Sequence, residues 1–245
     1  TFESLAAEGF AGPASGHDLL ASAFGNSPFL CRLALRECET LADFFRRGPD
    51  TVLADAGTLA LAVADAPDIT VAMRDLRLAK RRAALVIALA DIGGAWDVER
   101  VTRALSDFAD SCLHGALRFA LRQMAKDTAW AGRDAEALEH GTGLTILAMG
   151  KYGAFELNYS SDIDLVFFYD AGIFPFQRRG DPRSAAVEIV RTLVRLLSEV
   201  TVDGYVFRVD LRLRPDAGAT QIAISTEAAE AYYEGMGQNW ERAAM

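Results

Sequence analysis

This chain has no run of about eighteen apolar residues, so no segment of it reads as a membrane span. It also lacks an opening basic–apolar–small-residue leader of the secretory kind. Cysteine is scarce: Cys31, Cys38 and Cys112 neither pair evenly nor carry metal-site spacing, so reduced thiols in the helix cores of a cytoplasmic protein are expected. Histidine is equally thin. His17, His114 and His140 are scattered without an acid at a useful spacing, which leaves Ser–His–Asp chemistry without support. Basic charge is outnumbered, with 25 Lys and Arg against 34 Asp and Glu and a net charge of −9. That balance argues against a nucleic-acid partner spread over a broad surface, and any cationic function must be local. At 245 residues, one large or two modest domains with ample core are expected.

What is present divides near residue 140. Residues 1–15 are Gly- and Ala-rich without period and read as irregular. Ser27-Pro28 opens a helix over Phe29–Phe45 that ends near Gly48-Pro49, a capping hydroxyl being followed by a proline that needs no N–H. Asp50 is placed to cap a helix to about Ala64, Asp68 one to Ile92, and Asp97 a long one carrying Val101, Leu105, Phe108, Cys112 and Phe119 at helical spacing. Residues 1–140 therefore read as a helical bundle. Arg74, Arg77, Lys80, Arg81 and Arg82 crowd one stretch of it, and two readings stand: a solvated helix face, or a basic lip steering phosphate or an acidic protein loop.

Residues 141–245 mix strands and helices, giving an α+β protein as a whole. Thr145–Ala148 and Leu165–Tyr169 read as strands, Arg183–Val200 as an amphipathic helix over the sheet, and Ser225 or Thr226 as the cap of a last helix. The loop Gly172–Asp181 between them holds Arg178 and Arg179. Asp162 and Asp164 head the second strand two residues apart, hence on one face, while Ile163 and Leu165 turn to the core. Two anions about 4 Å apart repel by roughly 1 to 4 kcal/mol, and a divalent cation such as Mg²⁺ or Mn²⁺ would convert that cost into binding. Alone, such a pair also reads as solvated turn residues. Its company changes the reading: Gly150-Lys151-Tyr152-Gly153 follows the first strand, and glycines there allow backbone N–H groups near a phosphate. Phe207–Leu213 alternates strictly, which as a strand would set Arg208, Asp210, Arg212 and Arg214 on one face. Three arginines and three acids thus point to a phosphate-and-metal site.

The run Met149-Gly150-Lys151-Tyr152-Gly153-Ala154-Phe155-Glu156-Leu157-Asn158-Tyr159-Ser160-Ser161-Asp162-Ile163-Asp164-Leu165 resembles the signature of the bifunctional glutamine synthetase adenylyltransferase/adenylyl-removing enzymes. Arg208–Pro215, Tyr232-Tyr233 and Trp240-Glu241-Arg242 are similar to that family too, and the likeness runs from about Gly16 to the end. Glu156–Ser161 is closer in form to the N-terminal, adenylyl-removing half. The family's glycine pair is Gly153-Ala154 here, and its glycine-rich turn after Pro215 is Asp216–Gln221. Both departures bear on how closely backbone approaches a nucleotide.

The resemblance implies a DNA polymerase β-type nucleotidyltransferase domain with a small mixed sheet, in a fragment of a longer chain. It implies phosphorolysis of adenylylated glutamine synthetase, giving ADP and active synthetase, with a PII signal protein as a regulatory partner. Asp162, Asp164 and Asp210 would hold Mg²⁺ or Mn²⁺. Arg208, Arg212 and Arg214 would hold phosphate, and Gly150, Lys151, Gly153, Ser160 and Ser161 the adenylyl phosphate. Lys151 reads equally well as a surface lysine. ATP-dependent adenylylation, and a non-catalytic nucleotide- or PII-binding module, are the alternatives.

Overall fold

The computed structural model describes residues 16–178, 180–239 and 241. The irregular stretch expected over 1–15, and Arg179, Trp240 and Arg242–Met245, lie outside the described residues.

The helical part runs α1 (His17–Asn26), α2 (Pro28–Arg36), α3 (Cys38–Arg47), α4 (Pro49–Ala62), α5 (Ile69–Ile92), α6 (Val98–Ala125) and α7 (Ala135–Gly141). The caps read from sequence explain three of these starts. Ser27 Oγ accepts the Leu30 N–H at 3.2 Å, Asp68 accepts those of Thr70 and Val71 at 2.8 and 3.0 Å, and Asp97 that of Arg100 at 2.8 Å. Two expectations are corrected. The helix expected over Phe29–Phe45 breaks at Glu37 (φ −120°, ψ 46°), whose buried carboxylate accepts from Arg81 and Arg82 of α5. Helix α4 starts at Pro49 after Gly48 at φ 83°, so Asp50 lies in its first turn and pairs with Arg100 instead of capping.

The sheet is built on β2 (Ile163–Tyr169), which pairs antiparallel with β1 (Leu144–Met149). Between β1 and β2 comes a single helical turn, α8 (Gly150–Gly153). From β2 the chain crosses through α9 (Pro182–Ser198) to β3 (Val209–Asp210), then reaches β4 (Ile224–Ser225) and α10 (Thr226–Gly235). Strands β3 and β4 pair in parallel with opposite ends of β2, which makes the sheet mixed. Side-chain alternation on β2 sorts the two faces. Ile163, Leu165, Phe167 and Tyr169 join the main core with α9 and the helical part, while Val166 and Phe168 meet Ile224 and Ala229 beneath α10.

The strand expected over Phe207–Leu213 is also corrected, since only Val209 and Asp210 pair with the sheet. The Asp210 carboxylate accepts the Arg212 N–H at 2.8 Å, an Asx turn that lifts the chain off β2. Arg214 holds the following turn by donating to the carbonyls of Leu211 and Ala217 at 2.6 and 2.7 Å.

The basic stretch on α5 is neither a solvated face nor an open lip. Arg77 is 1% exposed and donates to the carbonyls of Leu196, Glu199 and Gly204, closing the C-terminal end of α9, as well as to Met73 O in its own helix. Arg81 bridges Glu37 and Asp203, each at 2.8 Å. Arg77 and Arg81 thus join the helical part to the end of α9 and the turn after it, while Arg82 pairs with Glu37 and the exposed Arg74 with its neighbour Asp75.

Candidate active site

Asp164 is the one residue of β2 that is not buried. Its Cα partner across the parallel edge is Asp210, and paired strands lie about 4.8 Å apart, so the two carboxylates are neighbours. Asp162 stands one residue before the strand, and its charge reaches the same point. The Asp164 carboxyl is raised above the usual carboxylate range by burial first, then by Asp210 and by Asp162, with Arg212 opposing. Asp210 is held below that range, chiefly by its hydrogen bond from Arg212, whose Nε lies 2.8 Å from Oδ2. Arg208 donates from Nε to Asp162 Oδ1 at 2.5 Å and from Nη2 to Ser160 O at 2.6 Å. The result is an acid cluster with two of its three members already against guanidinium groups.

The turn after β1 is shaped by this cluster. Gly150 sits at φ +57°, and a Cβ there would lie 2.8 Å from Asp164 Oδ2, so only glycine admits the carboxylate so close. Gly153 answers a packing demand, because its Cβ would stand 2.4 Å from Ala148 O. Tyr152 is buried and donates to Asp110 of α6 at 2.5 Å, and Tyr159 donates to Asp91 at the end of α5 at 2.8 Å. These two phenols, overlooked in the sequence reading, moor both ends of the loop between β1 and β2 to the helices. Within that loop, Ser161 Oγ accepts from Asn158 N, and the Asn158 side chain accepts from Ser160 N.

The expected site residues separate accordingly. Asp162, Asp164, Asp210, Arg208 and Arg212 come together, with Gly150 and Ser160 against them. Lys151 is exposed. Arg214 spends its guanidinium on backbone carbonyls, leaving the acid cluster to Arg208 and Arg212. Among the described residues, no three His, Cys, Asp or Glu side chains form a ready-made metal cage. The donor set nonetheless fits Mg²⁺ or Mn²⁺. Every donor is a carboxylate oxygen, the crowding already penalises charge at Asp164, and Mg²⁺ is usually bound by one or two carboxylates plus substrate phosphate.

A family model described as glutamate-ammonia ligase adenylyltransferase matches residues 17–245. The chain is 49% identical over 223 residues to the bifunctional glutamine synthetase adenylyltransferase/adenylyl-removing enzyme of Bradyrhizobium sp., covering 89% of this chain and 22% of that protein. The enzyme of the same name from Caulobacter vibrioides is 46% identical over 225 residues, covering 92% of this chain and 23% of that one. The chain thus spans under a quarter of the length of these relatives. With its acid-bearing central strand and the match along nearly all of its length, the chain belongs to the glutamate-ammonia ligase adenylyltransferase family.

Proposed function

We propose that this chain carries the site that removes AMP from the adenylylated tyrosine of glutamine synthetase, by phosphorolysis. An oxygen of inorganic phosphate attacks the AMP phosphorus, the bond from phosphorus to the tyrosyl oxygen breaks, and ADP leaves with the restored phenol. The observation that carries the reading is the placement of Asp164 beside Asp210, with Asp162 adding its charge and Arg208 and Arg212 alongside. In-line displacement at phosphorus asks for alignment and charge neutralisation more than covalent help. Mg²⁺ or Mn²⁺ on Asp162, Asp164 and Asp210 would supply that neutralisation.

Arg208 and Arg212 now lie against Asp162 and Asp210, within reach of an incoming oxyanion. Arginine grips such groups with paired N–H donors. The tight turn at Gly150 keeps Cβ bulk away from Asp164, where the transferring phosphorus would sit. The preference for removal over addition of AMP rests on the Glu156–Ser161 form, which is similar to the adenylyl-removing half. A PII signal protein as regulator, and a cytoplasmic setting, belong to the same reading.

The test is to incubate this chain with adenylylated synthetase, Mg²⁺ and labelled phosphate. Label appearing in ADP is the expected result. Transfer of AMP from ATP to unmodified synthetase, with no ADP formed from phosphate, would replace the reading with ATP-dependent adenylylation. Nucleotide or PII binding with turnover in neither direction would leave a regulatory module.

A further inference from the structure

A concavity lies beside the acid cluster. A cleft of about 680 Å³ opens between α2 and α5 on one side and the chain from Tyr159 to Ser161 and Val202 to Arg208 on the other. That volume is typical of a small-molecule site, and such sites favour boundaries between substructures. Its rim exposes apolar surface at Phe29 (57%), Ile92 (47%), Tyr159 (52%) and Tyr205 (44%), an unusual concentration on a chain of net charge −9.

The charges lining the cleft are not all spent. Arg36 and Arg81 pair with Asp203, and Arg208 with Asp162. Lys80 and Arg32 also line the cleft, yet among the described residues neither has a carboxylate partner. The Lys80 ammonium lies 4.0 Å from the centre of the Phe207 ring and 5.9 Å from that of Phe108, with aromatic faces standing in for water. A cation held in apolar surroundings without an anion is costly, and an anionic ligand with an apolar body would relieve both deficits together.

We propose that this cleft binds a small amphipathic anion: a flat apolar body seated between Phe29 and Phe207, with one carboxylate or phosphate group set against Lys80. Burial has already brought the Lys80 ammonium down to about 8, so near neutral pH it carries its charge at a cost, which an anion arriving there offsets. The proposal does not depend on which way AMP moves at the acid cluster. It assigns a separate site that meets the cluster along Ser160, Ser161 and Arg208.

The experiment is calorimetric titration of this chain with 1-naphthyl phosphate and with 1-naphthoate, using 1-naphthol and inorganic phosphate as half-ligands. One site per chain is expected for at least one of the two anions, and the stronger of them shows whether phosphate or carboxylate is the preferred head group. The half-ligands should bind at least about tenfold more weakly, since each lacks one of the two contributions. Lys80→Met keeps the packing against Phe207 and should weaken the anion by about tenfold or more, with naphthol unaffected. Ala84→Trp keeps the cation but fills the cleft, and should abolish binding of anion and naphthol alike. Arg212→Ala should leave both untouched. Absence of binding by either anion would overturn the proposal. So would binding unchanged in both Lys80→Met and Ala84→Trp, or binding lost in Arg212→Ala, which would place the anion at the acid cluster instead.

Discussion

Asp164 carries two opposed demands, and a single substitution separates them. Its folded-state carboxyl is raised above the unfolded value, so the ionised form is penalised in the fold. The penalty is absent while the group is protonated in both states. It grows as pH rises through the window between the unfolded and folded values, and persists in full above it. Asp164→Asn should therefore stabilise the metal-free protein at neutral pH by about 1 kcal/mol, from relief first of the burial of a charge and then of repulsion by Asp210 and Asp162. The gain should fade below the unfolded carboxylate range, which urea titrations at two pH values would show. Turnover should fall to background in the same variant, because the amide offers oxygen without charge; near-normal activity with Mg²⁺ would remove Asp164 from the site. Arg212→Ala makes the complementary case. It should raise the phosphate concentration needed for half-maximal turnover more than the Mg²⁺ concentration, and an unchanged phosphate dependence would leave Arg212 as a partner of Asp210 alone.

Among the elements, α5 shows what could and could not be read in advance. Its start was legible because Asp68 caps it, and its end because Gly93-Gly94 follows, both being local signals. The destination of its cations was not, since Arg77 reaches carbonyls more than a hundred residues away in sequence. For the same reason the alternation in Phe207–Leu213 promised a strand that Asp210 cuts short, using its own side chain to bond Arg212 N. The three acids were legible from their spacing and motif, whereas Tyr152 and Tyr159 take their meaning from partners on α6 and α5.

The packing of α5 yields two stability predictions. Arg77→Met should cost about 2–4 kcal/mol, because the carbonyls of Leu196 and Glu199 lose their donor where water is excluded. A loss under about 0.5 kcal/mol in denaturant titration, the range of ordinary surface changes, would show that α9 does not depend on this cap. Lys80→Met should run the other way. The folded-state value of Lys80 is lowered from 10.5 to about 8, so wild-type stability gains from this group as pH rises from about 8 to 10.5 and lacks that gain below. Cys112, pushed up to about 12 by burial against the opposing charge of Lys80, acts oppositely above the unfolded thiol value of 9.0, so the comparison of the two proteins is read mainly below pH 9. The variant should thus be more stable than wild type at pH 7, with its advantage shrinking toward pH 10.5. An advantage independent of pH would mean that Lys80 is fully charged in the fold throughout.

At the scale of the whole molecule, the change from helices to mixed sheet near residue 140 is a matter of chain order more than of packing. One apolar core runs from Leu20 and Leu41 through Leu76, Leu85, Phe119 and Leu121 to Leu165, Phe167, Leu193 and Leu197. Helix α9 lies within it, meeting α5 and α6 on one side and β3 on the other. Its C-terminal end is closed by Arg77 from the helical part, and the loop that carries Asp162 is moored by Tyr152 and Tyr159 to the same helices. Among the described residues the sheet has no second large core of its own: the face under α10 buries Met149, Val166, Phe168, Ile224 and Ala229. A sheet so supported has little apolar area with which to stand alone. The expected outcome is one cooperative unfolding transition. In native-state hydrogen exchange, the slowest amides of α6, α9 and β2 should open with the same free energy and the same denaturant dependence, within about 0.5 kcal/mol, a margin set by ordinary surface effects. Amides of β2 opening at a distinctly lower free energy than those of α6 would show two units that unfold separately. The helices would then be a neighbour of the acid cluster, where one shared transition would make them part of what holds it in place.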